Sequence, residues 1–447
     1  MKNIRFLSIL LTLCMLLAMV ACSNDETPET PSTETPTTEA PTTEAPDDDD
    51  DPDDTTSGTT ENGGSDTPTL KYTWATQGGD GTAADPLIIN QNNFVDFYNY
   101  YLKGGFEAFV DADEHFKLGS DIVVNEGNAK DWATTNPTTV FNAPMNSLVG
   151  TFDGAGHTIS GLCIKTQNKY CAIFDSIGEN ATLKNLRVVN SYFNARGSDN
   201  GYWNTGTFAG RMDKNSTIEN CYSNAFLDST GIGFSGEAFF GGIVGRIHRE
   251  GCKITSCVFA GEINAISARA GGIVGGISTG TFAWVEIKNC LNLGKVTGYS
   301  AGGIIGYDQT FGSSISKVIN TVNLSKDIIR RQNDKPGNDI IGTNSFYQGT
   351  IPIDTYVITD VRPGPTAENG GIVFIGDSAT NPGLVDPEDN NTAYTLRKMT
   401  LSQFLALGGT ADAPAGWNFK EGCVPCPIAG LEISIAPYLT AWGITLN

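Results

Sequence analysis

The chain has 447 residues, a formal net charge of −22, only 17% charged residues and 52 glycines. That length suits one long solenoid or two to three compact domains, and the Gly-rich, charge-poor composition weighs against a helical protein. Basic residues are not clustered, so no nucleic-acid partner is expected.

Residues 1–22 read as a bacterial export leader. Lys2 and Arg5 precede a largely apolar run at 6–20, 15 residues long and short for a membrane span. The run ends Met19-Val20-Ala21-Cys22, which resembles a lipobox. Cys22 is then the acylated N-terminus of the mature protein, and its lipid is the membrane partner. Residues 23–71 form a Thr/Pro/Glu/Asp-rich stalk. Residues 23–68 hold 15 acidic residues and no Lys or Arg, leaving about −9 for everything after the leader and stalk. No core can be built from such a segment, so it is expected to be extended and solvated. The acid run at 47–51 reads as solvated charge rather than a Ca2+ site.

Residues 72–165 read as an N-terminal cap and the first coils. Within Asn93-Phe-Val-Asp-Phe-Tyr-Asn-Tyr-Tyr-Leu102, residues Phe94, Phe97, Tyr101 and Leu102 recur near helical spacing. This helix is assigned to covering the open end of a β-solenoid, which would otherwise expose a sheet edge and core.

Residues 166–330 repeat. Gly241-Gly-Ile-Val-Gly245, Gly271-Gly-Ile-Val-Gly275 and Gly302-Gly-Ile-Ile-Gly306 each precede a polar loop and a short strand. Weaker copies lie upstream at Thr207-Phe-Ala-Gly210 and Ala172-Ile-Phe-Asp175. Aligning the strands gives two columns: Asn185, Asn220, Ser256, Asn289, Asn320, and then Leu186, Cys221, Cys257, Cys290, Thr321. The apolar residue of each unit (Ile254, Ile287) and the Cys column are three apart. Odd offsets on a straight strand face opposite sides, yet both positions look interior. The chain is therefore expected to bend at the Asn column, because Asn tolerates the left-handed region and can hydrogen-bond locally. Stacked corners would also let one Asn side chain bond the next. A repeat of this kind implies units pairing only with their neighbours.

The Gly-Gly-Ile-Val-Gly and Ile-x-Asn-Cys patterns resemble the GLUG-motif repeats of bacterial cell-surface proteins. The segments Gly150-Thr-Phe-Asp-Gly-Ala-Gly-His157 and Gly81-Thr-Ala-Ala-Asp-Pro-Leu-Ile-Ile89 are similar to turns that precede those repeats. The resemblance covers roughly 72–330. It implies an all-β fold, a right-handed parallel β-helix, displayed on a cell surface, and it carries over no catalytic residue. Residues 331–447 lose the repeat and read as irregular final coils and a C-terminal cap, with Tyr356-Val-Ile-Thr and Gly371-Gly-Ile-Val-Phe-Ile as strand-like runs and a short helix near Thr400–Gly408.

Candidate chemistry is sparse. Stacking the loops after the glycines brings Arg211, Asp213, Arg246, His248 and Asp308 to one side, and with Tyr307 they form the nominated ligand face. Gly276 and Ser278 interrupt the stack. A polysaccharide lyase or glycoside hydrolase would need paired carboxylates, or Ca2+-binding acids with a base, on such a face. Tyr192, Phe193, Tyr202, Trp203 and Tyr307 either stack on sugars or peptides or pack their own loops. Cys423-Val-Pro-Cys426 has the spacing of a small exported disulfide loop, and Cys163 and Cys171 flank a hairpin-like stretch. His248-x3-Cys252-x4-Cys257 invites a zinc reading, but the alignment puts Cys257 inside and Cys252 in a loop, so no metal and no cofactor is expected. Gly231-Ile-Gly-Phe-Ser-Gly236 lacks the βαβ setting of a dinucleotide site. The reading is a lipid-anchored, surface-displayed β-helix that binds an extracellular glycan or protein without catalysis. A glycan-cleaving enzyme is the first alternative, and a structural envelope protein the second.

Overall fold

The computed structural model describes residues 78–102, 114–197, 203–231, 238–278, 284–308, 315–331 and 396–446, with 335–336, 341–344, 351–353, 355–358 and 360–361 between the last two. All fall in the compact unit 68–447. Cys22, the leader, the stalk, Tyr202 and the run at 371–376 lie outside the described residues.

The fold is a right-handed parallel β-helix built on four sheets, numbered I to IV in the order the chain crosses them, with nine, nine, ten and six strands. One coil shows the path: Thr182–Lys184 in sheet I, Arg187–Val189 in II, Tyr192–Ala195 and Asn204–Gly206 in III, then Ala209–Met212 in IV. Six coils, beginning at Thr151, Thr182, Thr217, Lys253, Trp284 and Ile315, cross all four sheets. Every strand pair is parallel except Ile328–Arg330 with Lys335–Pro336, among the described residues.

The corner between sheets I and II is the Asn column. Asn185, Asn220, Ser256, Asn289 and Asn320 all have positive φ, from 47° to 56°. The bend brings Ile218, Ile254 and Ile287 inside on one sheet and Cys221, Cys257 and Cys290 inside just past the corner, all fully buried. The side chains form part of a ladder. Asn220 Nδ2 donates to Asn185 Oδ1 at 2.6 Å, and Asn185 Nδ2 to Asp153 Oδ1 at 2.9 Å. Ser256 is too short to continue it, and Asn289 Oδ1 is buried without a hydrogen-bond partner. A second left-handed column, not anticipated from the sequence, turns the chain from sheet IV back to I: Asn180, Asn215 and Gly251, with φ of 59°, 56° and 77°.

The glycine motif makes the tight turn from sheet III to IV. A Cβ on Gly242 would lie 2.3 Å from Phe259 Cγ, and one on Gly272 2.4 Å from Asn292 Cγ, because sheet II side chains reach across the thin core to the turn. A Cβ on Gly245 or Gly275 would meet the backbone of the neighbouring coil's sheet III strand, at Thr205 N (2.7 Å) or Phe240 N (2.6 Å). Isoleucine and valine between these glycines (Ile243, Val244, Ile273, Val274) are fully buried.

Helix α1 (Phe94–Tyr100) covers the N-terminal end of the core as expected. The Phe97 ring lies 5.5 Å from Phe116 and 6.2 Å from Phe152, on the second and third strands of sheet I. Tyr98 also faces in, stacked 3.8 Å from Phe141. At the other end, Leu396–Met399 adds a last strand to sheet II. Helix α2 (Leu401–Leu405) follows, its start fixed by a reciprocal Thr400–Gln403 capping box. The chain then runs back along the outer face of sheet II. Phe404, Trp417, Val424 and Ile428 cover Val258, Leu291, Val322 and Tyr356 as a second apolar cluster. Helix α3 (Ala436–Trp442) ends at Gly443 in the left-handed region. The C-terminal cap is therefore also a flank.

Each interior thiol donates to the carbonyl two residues before it: Cys221 to Glu219 at 3.2 Å, Cys257 to Thr255 at 3.3 Å, and Cys290 to Lys288 at 3.3 Å. Burial pushes the Cys257 and Cys290 thiols well above their ordinary range, and Cys252, in the loop before Lys253 yet fully buried, up to about 12.

Two outcomes follow. Replacing Ser256 by Asn is expected to link Asn220 and Asn289 and raise stability by about 1–2 kcal/mol, at roughly 1 kcal/mol per hydrogen bond, measured by urea unfolding. The raised thiols stabilise the fold fully below about pH 8.5, where the unfolded chain also keeps its protons. That stability is lost as pH rises, because only the unfolded chain ionises. At pH 10 the loss is about 2 kcal/mol per thiol. Cys257→Ala and Cys290→Ala should each flatten the fall in urea midpoint between pH 7.5 and 10.

Candidate functional site

The nominated ligand face lies on the outer side of sheet IV. Strand register puts Arg211, Arg246, Gly276 and Tyr307 in one outward row. Asp213 and His248 follow just beyond the strand ends, both half-buried. Asp308 does not join them. It pairs with Ile277 in the interior row of Met212 and Ile247, and is fully buried. Counting from the glycine placed it outside, but the two-residue alternation of the strand places it in.

The row is filled by the protein's own rings. The outward row of sheet III, Tyr170, Asn204, Phe239 and Arg269, meets it across the glycine turn. The Tyr170 ring packs on Gly210 and lies 5.5 Å from the Arg211 guanidinium, whose Nη1 donates to the Tyr170 hydroxyl at 3.2 Å. Phe239 occupies the slot left by Gly276, where a Cβ would lie 2.3 Å from the ring. On either side are the Arg246 guanidinium at 5.7 Å and the Tyr307 ring at 6.0 Å. Arg269 stacks 3.5 Å from the Tyr307 ring centre. Tyr307 is consequently only 5% exposed.

The charges are engaged as well. Arg211 Nε lies 3.2 Å from Asp213 Oδ1. Burial alone would lower the Arg211 pKa, but Asp213, Tyr170 and Asp175 outweigh it and raise it. Arg246 Nη2 donates to Ser278 Oγ at 3.0 Å. Arg211, Arg246 and Tyr307 share one row with Asp213 and His248 beside it, and with Tyr170, Phe239 and Arg269 the row forms a packed cation–π stack. The other aromatics nominated for sugar stacking, Tyr192, Phe193 and Trp203, are also buried. Cys423 and Cys426 are free thiols here, each in its own antiparallel bridge, to Ser434 and Asn418. Cys163 and Cys171 are free and buried.

Two more outer faces are covered. The C-terminal segment lies on sheet II. The 3-10 turn at Ala129–Ala133 sets Trp132 against Cys163 and Tyr192 on sheet III. Beside it Glu262 bridges Lys130 (2.6 Å) and Lys295 (3.1 Å), on the rim of a shallow cleft of about 260 Å3.

Sheet I is different. One outward row runs Thr151, Thr182, Thr217, Lys253, Glu286, Lys317, and the next Lys117, Asp153, Lys184, Glu219, Thr255, Lys288. Successive members stand one coil apart, about 4.8 Å. Lys outnumbers Asp and Glu on these two rows, in a chain of net charge −22. Trp284 stands beside them with 44% of its surface exposed, and Lys253 Nζ lies 5.5 Å from its ring centre. Sequence reasoning missed this tryptophan because it sits at the end of a loop without motif. Its alternation with buried Val285 and Ile287 was the available signal.

No family model matches the chain. A stretch of 125 residues, 27% of the chain, is 29% identical to a protein of Evansella cellulosilytica with the provisional name Gly-rich membrane protein, and the match spans 13% of that protein's length. Among solved structures, a Bacteroides ovatus protein provisionally named an immunoglobulin A1 protease aligns over 78% of this chain and 94% of its own, with a TM-score of 0.46 and 21% identity.

Because Phe239 holds the row together from within, Phe239→Ala should cost about 3–5 kcal/mol in unfolding free energy. Arg211→Ala, nearer the surface and paired locally, should cost less by the same urea measurement.

Proposed function

We propose that the protein is an exported, lipid-anchored surface protein whose β-helix binds an extracellular glycan through the outer face of sheet I. The observation that carries this reading is the outer face of sheet I, over which none of the described residues is laid. Sheet II is packed over by the C-terminal segment, sheet IV by rings and sheet III in part by a turn, while sheet I presents Thr, Lys and Glu rows beside the exposed Trp284. An exposed indole offers a flat apolar surface for sugar C–H groups, and the regular coil spacing suits a repeating polymer. The leader, the residues around Cys22 and the acidic stalk support anchoring and display. The GLUG-like pattern is consistent with that setting. On the face first nominated for chemistry, Asp213 is paired with Arg211 and Asp308 is interior, so those two carboxylates do not form an exposed pair for glycan cleavage there.

On a glycan array, the full chain should retain a subset of polysaccharides, and Trp284→Ala should weaken that binding at least tenfold without changing the unfolding midpoint. Unchanged binding by Trp284→Ala would overturn the assignment to sheet I. New reducing ends released from the bound sugars would favour the enzyme reading. Cys22→Ser should move the protein from the membrane fraction to the soluble one.

A further inference from the structure

A cleft of about 330 Å3 opens where the sheet I–II corner meets the returning C-terminal segment. Its floor is the amide ladder of Asn185 and Asn220 with Asp153, its rim carries Lys117 and Arg187, and Ile428 and Ala429 close one side. That volume is at the low end for small-molecule sites, about 300–1,000 Å3, and fits a ligand the size of one or two sugar rings.

The charges of the cleft are unbalanced. Asp153 is occupied, accepting from Asn185 Nδ2 at 2.9 Å and lying 3.9 Å from Lys184 Nζ. Lys117 and Arg187 have no carboxylate partner among the described residues. Arg187 is half-buried, so little water stands between it and an anion, and its planar fork matches a carboxylate. The ladder supplies the rest. Asn220 Nδ2 donates to Asn185 Oδ1, so each amide has a second N–H free of the ladder, and Asn220 Oδ1 has no donor among the described residues. Amides that both donate and accept suit hydroxyl groups. Ile428 adds an apolar wall.

We propose that this cleft binds the carboxylate-bearing residue of an acidic glycan, with Arg187 and Lys117 holding the carboxylate and the Asn185–Asn220 amides meeting the ring hydroxyls. The inference rests on the surface-binding reading and narrows its ligand class to sugar acids. Lys117 and Asp153 belong both to the cleft and to a sheet I row, so a polymer lying along that sheet would enter the cleft directly.

The test is calorimetric titration of the full chain with trigalacturonate, neutral galactotriose and inorganic sulfate. Trigalacturonate is expected to bind at least tenfold more tightly than either, and more weakly as salt is raised. The Arg187→Gln/Lys117→Gln double variant should lose at least tenfold for trigalacturonate while its unfolding midpoint stays unchanged, and Arg187→Lys should recover part of the loss. Wild-type affinity in the double variant would overturn the cleft, as would sulfate binding as tightly as the sugar acid. If trigalacturonate binding then still depends on Trp284, the surface reading stands without the cleft. Failure of every polysaccharide on the array would overturn the surface reading itself.

Discussion

The structure depends on a corner that an L-residue resists. At five successive passages from sheet I to sheet II one residue takes up left-handed backbone, and four of those five aligned positions are asparagine. The bend sets two residues three apart on the same interior, so one short segment feeds the core from two sheets. Repeated coil after coil, it produces columns of Ile and Cys that pack against themselves and need no partner outside the helix. The strain at the corner is offset locally by the amide ladder. Where Ser256 interrupts that ladder, the corner keeps its φ and loses its side-chain bond.

The glycine turn has a second consequence. Close approach of sheets III and IV requires backbone without Cβ, and it leaves slots on the outside as well as inside. Phe239 fills one and Tyr170 lies over another, so the outer rows of two sheets lock together. Arginines that look like a binding face in a linear reading are the polar caps of this packing. Stacked arginine and aromatic groups in contact with their own neighbours are held in place by the fold, and a ligand would have to displace them.

An uneven coat results. A solenoid exposes its sheets equally unless something is laid over them, and this chain lays a turn over one, its own rings over another and its C-terminal residues over a third. The face over which no described residue is laid has regularly spaced polar side chains, an exposed indole and a surplus of lysine. The C-terminal segment also shapes what lies beside that face, since Ile428 and Ala429 turn an open corner into a cleft.

Much of the fold was legible in the residues. The glycine repeat, the Asn and Cys columns and the aromatic face of α1 determined a capped β-helix with left-handed corners, because each coil answers the same local problem with the same residue types. The Asn180, Asn215 and Gly251 corner was also legible, standing the same five residues before Asn185, Asn220 and Ser256, although two asparagines and a glycine make a weaker column. What stays outside and uncovered was decided by tertiary structure. Whether Tyr307 meets solvent depends on Phe239 and Arg269, which belong to other coils, and whether Asp308 faces in depends on strand register. The path of residues 396–446 back along sheet II has no repeat to announce it. Local sequence specifies a coil, whereas exposure of any one side chain is a property of what the remaining coils and the returning chain place beside it.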